Sequence, residues 1–386
     1  LTIDRPIRLA FTLISRKAWA GGYNYQLNLF TALARYCPGA ITPVVFAAEQ
    51  DGADVEAVAR IPGVEIVRSA AFSRSSLRTL LPTLFARDLH AIASFRRHKI
   101  DAVWENARFF GWMSPFPTVA WIPDLQHRQL PQLFTAGARW RRELGFRLQI
   151  LGNRTIMLSS ESAERDCLSY YPRTQGRTAV VRFASEPAPE LLTRNPVDVL
   201  KTYDLPSRYF YLPNQFWRHK NHRLVISALA ILKQRGVQVT VAVSGGANPN
   251  EPGYLDDIVR EVTGQQLDGA FRYLGMIPLP DVYALLRACT ALINPSRFEG
   301  WSTTVEEAKS FSVPMVLSNI DVHREQTRGS ALYFSPDDAE TLADHLQAIA
   351  RQAPVIRDVG SDTGERVRQF AENFVTAVDR IVASRR

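Results

Sequence analysis

NPSRFEGWSTTVEEAKSFSVPMVLS, residues 294–318, reads as a strand end, a glycine-containing loop, a helix and the start of another strand. TALINPS (290–296) and VPMVLS (313–318) are short, apolar and of strand length. Between them a helix begins near Ser302–Thr304. Thr303 and Glu306 have the spacing of a capping box, which predicts that the remaining free N–H groups of that helix face a ligand. Such an end attracts phosphate through its donors and its dipole. Glu307 falls about one turn along, roughly 6 Å from the cap at 1.5 Å per residue.

The same alternation runs outward in both directions. IRLAFTLI (7–14), TPVVFAA (42–48), DAVWE (101–105), TVAWIP (118–123), TIMLSS (155–160) and TAVVRF (178–183) are strand candidates, separated by amphipathic stretches such as 24–36 and 75–99. Continuous apolar strands alternating with helices predict a parallel α/β sheet. Residues 184–206 carry four prolines and no sustained apolar period. The alternation restarts with RYFYLP, a helix over 221–235, VQVTVAVSGG (237–246) and FRYLG (271–275), with Gly236 placed as a helix-ending glycine. The fold class predicted is α/β, with two Rossmann-like doubly wound domains facing across a cleft. The domains predicted are 1–190, a linker at 191–206, 207–365, and a C-terminal helix at 366–386 that returns to the first domain.

The 386 residues are 46% apolar, with 46 Lys plus Arg against 38 Asp plus Glu and a formal charge of +8. That balance excludes a disordered chain and favours anionic partners without choosing among them. Cys37, Cys167 and Cys289 have no metal-ligand or disulfide spacing, which fits a reducing cytoplasm. No apolar run reaches the roughly 18 residues of a membrane span, and IRLAFTLIS is too short for a signal sequence. Leu1 at the start points to a trimmed end.

Glu299 and Glu307 stand eight apart within PSRFEG…EEA…VPMVLS, and this wording resembles the Glu-x7-Glu signature of glycosyltransferase family 4. The resemblance runs with gaps over nearly the whole chain, specifically in the second half and diffusely in the first. It implies the GT-B fold and retaining transfer from a nucleotide-sugar, with no metal and no other cofactor. It further implies that Glu299 contacts the donor sugar near its reacting carbon. Glu307 accepts from the ribose hydroxyls, and main-chain groups from Gly300 through Trp301 and Ser302 to Thr303 hold the diphosphate. In LPNQFWRHKNHRLVISAL (212–229), Lys220 matches the family lysine directed at the diphosphate. Gln215 stands where the family carries Arg, and Arg218 or His219 is the candidate replacement for the missing charge. Gly21 and Gly22, between the first strand and the first helix, match a glycine-rich turn that lets a phosphate or sugar approach. Asp124 and His127 follow a first-domain strand where the family often places a His–Asp pair, although Pro123 takes one of those places. Gly245 and Gly246 match a strand-end turn near the nucleotide, whereas Ser160 and Glu161 read as a helix cap.

For each of these residues a purely structural role is the alternative. The donor sugars favoured are mannose and rhamnose, because NQFWRHKNH and IPDLQH resemble enzymes of bacterial surface-polysaccharide assembly, including O-antigen. The acceptor is expected to be a glycan or a lipid-linked saccharide. Arg74, Arg78, Arg87, Arg96, Arg97 and Lys99, with RWRRELGFR (139–147), are basic clusters on amphipathic stretches. They raise peripheral docking on the inner face of a membrane as a further expectation for a cytoplasmic protein. Nucleic acid is not expected, since that reading rests on charge alone. The rival readings are a sugar-nucleotide epimerase, a phosphorylase, and a catalytically weak sugar-nucleotide-binding homologue, the last kept open by Gln215 and Pro123.

Overall fold

The computed structural model describes residues 5–73, 86–106, 108–251 and 253–383. Arg74 and Arg78 lie outside them. The chain divides into two units, one of residues 1–184 with 364–386 and one of residues 185–363.

Among the described residues, the first unit holds a seven-stranded sheet. Its strands are β1 (Ile7–Thr12), β2 (Ile41–Ala47), β3 (Glu65–Arg68), β4 (Ala102–Glu105), β5 (Thr118–Trp121), β6 (Thr155–Leu158) and β7 (Thr178–Val180). Their order is β3-β2-β1-β4-β5-β6-β7, and the paired strands run parallel, with Ile7 against Ile41 and Leu9 against Ala102. The order reverses direction between β1 and β4, the switch point at which doubly wound sheets bind ligands. β4 and β5 are buried along their full length, as strands covered by helices on both faces must be.

The second unit repeats the plan with β8 (Phe210–Leu212), β9 (Val241–Val243), β10 (Phe271–Tyr273), β11 (Leu292–Asn294), β12 (Met315–Ser318) and β13 (Leu332–Phe334), in the order β10-β9-β8-β11-β12-β13. Its switch point lies between β8 and β11, which meet at Leu292 and Tyr211. One face of the sheet packs on Val225, Leu229, Ile258 and Leu342, and the other on Leu285, Val305 and Phe311.

The expected linker at 191–206 is not a linker. Asn195 caps a helix over Pro196–Thr202, Val199 is buried, and the Tyr203 hydroxyl donates to Asp281 at 2.8 Å, all within the second unit. Two of the four prolines in 184–206 mark helix starts, Pro189 and Pro196, where a missing N–H costs nothing. The C-terminal helix, Thr363–Ala383, brings Phe370 and Phe374 against Tyr25 and Phe11 in the first unit. Gly236 follows the helix His222–Gln234 at φ +66°, as its position predicts. β3 and β13 have no counterpart among the predicted strands.

Candidate functional site

Two loops meet at the switch point of the second unit, one after β8 and one after β11. The first turns through a short 3-10 segment, Arg218–Lys220, and then through Asn221 at φ +59°. Asn tolerates that left-handed conformation better than most residues. Its amide repays the strain by donating to the carbonyls of Pro295, at 3.1 Å, and Pro336, at 2.8 Å. The Arg297 amide donates to the carbonyl of His219 at 2.7 Å, so the two loops are also joined through main chain. Held in this way, Lys220 donates from Nζ to Glu299 Oε1 at 2.6 Å.

The Lys220 and Glu299 side chains are 18% and 9% exposed. Burial alone would raise the Glu299 carboxyl, but the attraction of Lys220, with His219 and His323 beyond it, holds it at about 2. It is therefore an anion at any physiological pH. Glu307 has the opposite environment. Burial pushes its carboxyl up to about 7, and among the described residues no cation offsets the effect. One helix thus follows a permanently charged carboxylate and carries another poised to titrate near neutrality.

Buried polar side chains that the sequence analysis missed fix the loop carrying Glu299. Asn294, at the end of β11, donates to Ser302 Oγ at 2.9 Å and accepts from Asn214 at 3.2 Å and Ser296 Oγ at 2.7 Å. Gln326 brackets the Ser302 residue, accepting from its amide and donating to its carbonyl, both at 3.0 Å. Ser318 donates to the Ser296 carbonyl, and His323 Nδ1 lies 3.0 Å from the Ser318 carbonyl. Burial, working against the pull of Glu299, lowers His323 to about 4. An Asn at or just past the end of each of two strands, Asn294 closing β11 and Asn214 two residues after β8, is the available signal. It gains meaning only once β8 and β11 are known to be neighbours.

Several expectations need correction. The helix runs over Thr303–Ser310 with Ser302 as cap residue, and the Ser302 side chain makes no capping bond. No Thr303–Glu306 capping box starts the helix. Glu306 instead accepts from Lys309 and Gln326. Gln215 Oε1 accepts from the Gly246 amide at 2.9 Å, so its side chain closes the glycine turn. A Cβ on Gly245 (φ +150°) would lie 2.3 Å from the Asn214 carbonyl oxygen, which explains that glycine by close backbone approach. Arg218, the candidate replacement for the charge missing at 215, pairs with Glu251 at 3.0 Å and covers the Tyr254 ring.

In the first unit, Gly21 and Gly22 do not form an open turn. They lie in the first turn of the helix Ala20–Tyr36 beneath the Trp19 indole, and a Cβ on Gly22 would be 2.3 Å from that ring. His127 is fully buried, with Nε2 3.2 Å from Glu143. Burial, ahead of any effect of Glu143, lowers its pKa. Glu143 also accepts from Tyr171, Arg147 and Arg128, bonds that overcome its burial and hold it at about 2. Asp124 accepts from the Gln126 amide and from Arg142 at 2.6 Å. His127 and Asp124 are thus each tied to a charged neighbour, Glu143 and Arg142. A polar residue just past a strand end reads the same in sequence whether it faces a ligand or a neighbouring helix. Ser160 caps the helix Glu161–Tyr170 as expected, accepting from the Ala163 amide.

Residues 208–352 match the family model described as Glycosyl transferases group 1. The O-antigen chain mannosyltransferase B of Escherichia coli is 26% identical over 220 residues, 52% of this chain and 56% of that protein. The chain therefore spans about half the length of the curated relative it matches. Among solved structures, a glycosyltransferase of Rickettsia africae superposes with a TM-score of 0.66 at 13% identity, covering 99% of this chain and 97% of the other. HepE of Anabaena, solved with UDP and glucose, gives 0.65 at 17%, covering 98% and 96%. The lipopolysaccharide outer core galactosyltransferase WaaB gives 0.63 at 12%, covering 97% and 99%. The chain has the GT-B fold, and its residues 208–352, which hold Lys220, Glu299 and Glu307, match the model of group 1 glycosyltransferases.

Proposed function

We propose that the protein transfers a sugar, with mannose or rhamnose favoured, from a nucleoside diphosphate donor to a hydroxyl of a glycan or lipid-linked acceptor. Transfer is retaining and metal-independent. The observation that carries this reading is the Lys220–Glu299 pair at the switch point of the second sheet, 2.6 Å between Nζ and Oε1. A lysine fixed there meets the negative charge that develops on a departing diphosphate. Glu299 keeps Lys220 in place and presents a carboxylate where the donor sugar's reacting carbon lies. Glu307 takes the ribose hydroxyls. A diphosphate oxygen accepts the acceptor's proton as the new bond forms on the face the leaving group vacates. The mannosyltransferase relative supports the sugar and the polysaccharide setting.

The test is a hydrolysis and thermal-shift screen with GDP-, UDP-, dTDP- and ADP-sugars in EDTA, with the anomer of the transfer product read by NMR. Stabilisation by one nucleotide with release of its sugar is expected. Turnover that requires added divalent cation, or an inverted product, would reject the mechanism. Gln215, a neutral amide where the family has Arg, favours one second reading, a catalytically weak sugar-nucleotide-binding protein. Binding without hydrolysis would select it.

Peripheral membrane association belongs to the same proposal. No helix among the described residues is long and apolar enough to cross a membrane. The helix Ala136–Leu151, however, exposes Trp140 (66%) between Arg139 and Arg141, with Leu144 (37%) one turn further along. Apolar and cationic groups side by side suit an anionic lipid surface. Sedimentation with phosphatidylglycerol vesicles at low salt is expected for the wild type and is expected to fall severalfold in Trp140→Glu. Equal sedimentation of the two would remove this part of the reading.

A further inference from the structure

The helix after β1 begins with two glycines, each costing roughly 0.5–1 kcal/mol relative to Ala inside a helix. Their use is visible in the ring above them. The Trp19 indole lies against them so closely that a Cβ on Gly22 would stand 2.3 Å from its Cε3, and one on Gly21 3.2 Å from its Nε1. The indole is stacked on Trp121, at the end of β5, with ring centroids 5.2 Å apart and planes 19° from parallel. Trp121 in turn stacks on Tyr25 at 4.3 Å and on Trp104 at 5.1 Å. Trp19 is the outermost ring of this column and remains 39% exposed.

The column is not explained by core packing. The Tyr25 hydroxyl, Trp104 Nε1 and Thr12 Oγ1 are buried with no hydrogen-bond partner among the described residues. Each such atom costs about 1–3 kcal/mol, which Phe at position 25 would avoid. These atoms belong to β1, β4 and the helix whose Tyr25 stacks on Trp121 at the end of β5, beside the first sheet's switch point, where doubly wound sheets bind ligands. A rigid, pre-stacked indole at that edge is suited to a flat ligand face bearing weakly positive C–H groups, which the electron-rich ring attracts. A pyranose presents such a face.

We propose that Trp19 is a stacking platform for a pyranose ring of the saccharide acceptor. The inference rests on the proposed transferase reading, in which the donor is held by side chains of the second unit and the first unit is left for the acceptor.

The test compares the wild type with W19A, W19F and G22A, the last displacing the indole without removing it. In the transfer assay, W19A and G22A are expected to raise the acceptor KM by about tenfold, the factor that ~1.4 kcal/mol of lost contact produces. W19F should keep most of the wild-type value, and acceptor-independent donor hydrolysis should be unchanged in all three. An unaltered acceptor KM in W19A, or a parallel fall in hydrolysis or nucleotide affinity, would overturn the proposal, the latter by making Trp19 part of the donor site. Saturation-transfer NMR with an α-linked mannotriose separates this failure from that of the transferase reading. Contact with the wild type and its loss in W19A would uphold the platform even if no donor is turned over. No contact with the wild type would reject it.

Discussion

Lys220→Met is expected to lower sugar-nucleotide turnover by roughly 10²–10³, the range seen when one fixed stabiliser of developing negative charge is removed. It is also expected to reshape the acid limb of stability. Glu299 titrates at about 2 in the folded protein, against an ordinary value of 4.5. A depressed carboxyl contributes stability that is fully present above pH 4.5 and is lost as the pH falls toward 2. The full shift corresponds to on the order of 3 kcal/mol. Without Lys220 the burial of Glu299 is no longer offset, so its pKa rises and the variant pays at pH 7 for an unpaired buried carboxylate, about 3 kcal/mol or more. Urea unfolding at pH 7 and at pH 4 should show the deficit shrinking as the carboxylate is neutralised. The double variant Lys220→Met, Glu299→Gln should recover stability and not turnover. A single Lys220 variant that keeps near-wild-type hydrolysis would end the assignment, whatever its stability.

The two partners in that prediction differ in how much the sequence reveals. Glu299 and Glu307 are legible because they lie on one continuous stretch, where a strand, a loop and a helix follow in order. Lys220 is legible by its place after the first strand of the second unit. Their contact is not, because it joins positions 79 apart and exists only because β8 and β11 are adjacent. Asn214, Asn294, Ser318 and Gln326 stayed hidden for the same reason, as each bonds across elements. The double-wound alternation was readable from β1, β2, β4 and β5, which are apolar runs. The edge strand β3, EIVR, has only two apolar residues between two charges and no buried residue, so periodicity alone does not find it. The role of Gly21 and Gly22 is not legible in sequence, because glycine at a helix start clears space in the same way for a phosphate or for a neighbour's indole. Only the coordinates say which.

Glu307→Gln is expected to stabilise the free protein above neutral pH while weakening nucleotide binding. Burial raises the folded pKa of Glu307 to about 7, so the folded state holds a proton that the unfolded chain releases near 4.5. Stability therefore falls as the pH rises through that window, and the penalty is complete above 7. Glu307 is partly exposed, so solvent screening reduces the cost to on the order of 1–3 kcal/mol. The glutamine variant should melt several degrees above the wild type at pH 8 and lose that advantage toward pH 4.5. Ribose hydroxyls donating to Glu307 would favour its ionised form. Nucleotide binding by the wild type at pH 7 should then release up to about half a proton per site, measurable by calorimetry in two buffers of different ionisation enthalpy. Wild-type affinity should rise between pH 6 and 8, while that of the variant stays flat and lower. A variant with wild-type affinity at pH 8 would detach Glu307 from the nucleotide. If the affinity falls without proton release, Glu307 is already ionised in the free protein, and its position in a half-buried, uncompensated pocket would need another source of stabilisation.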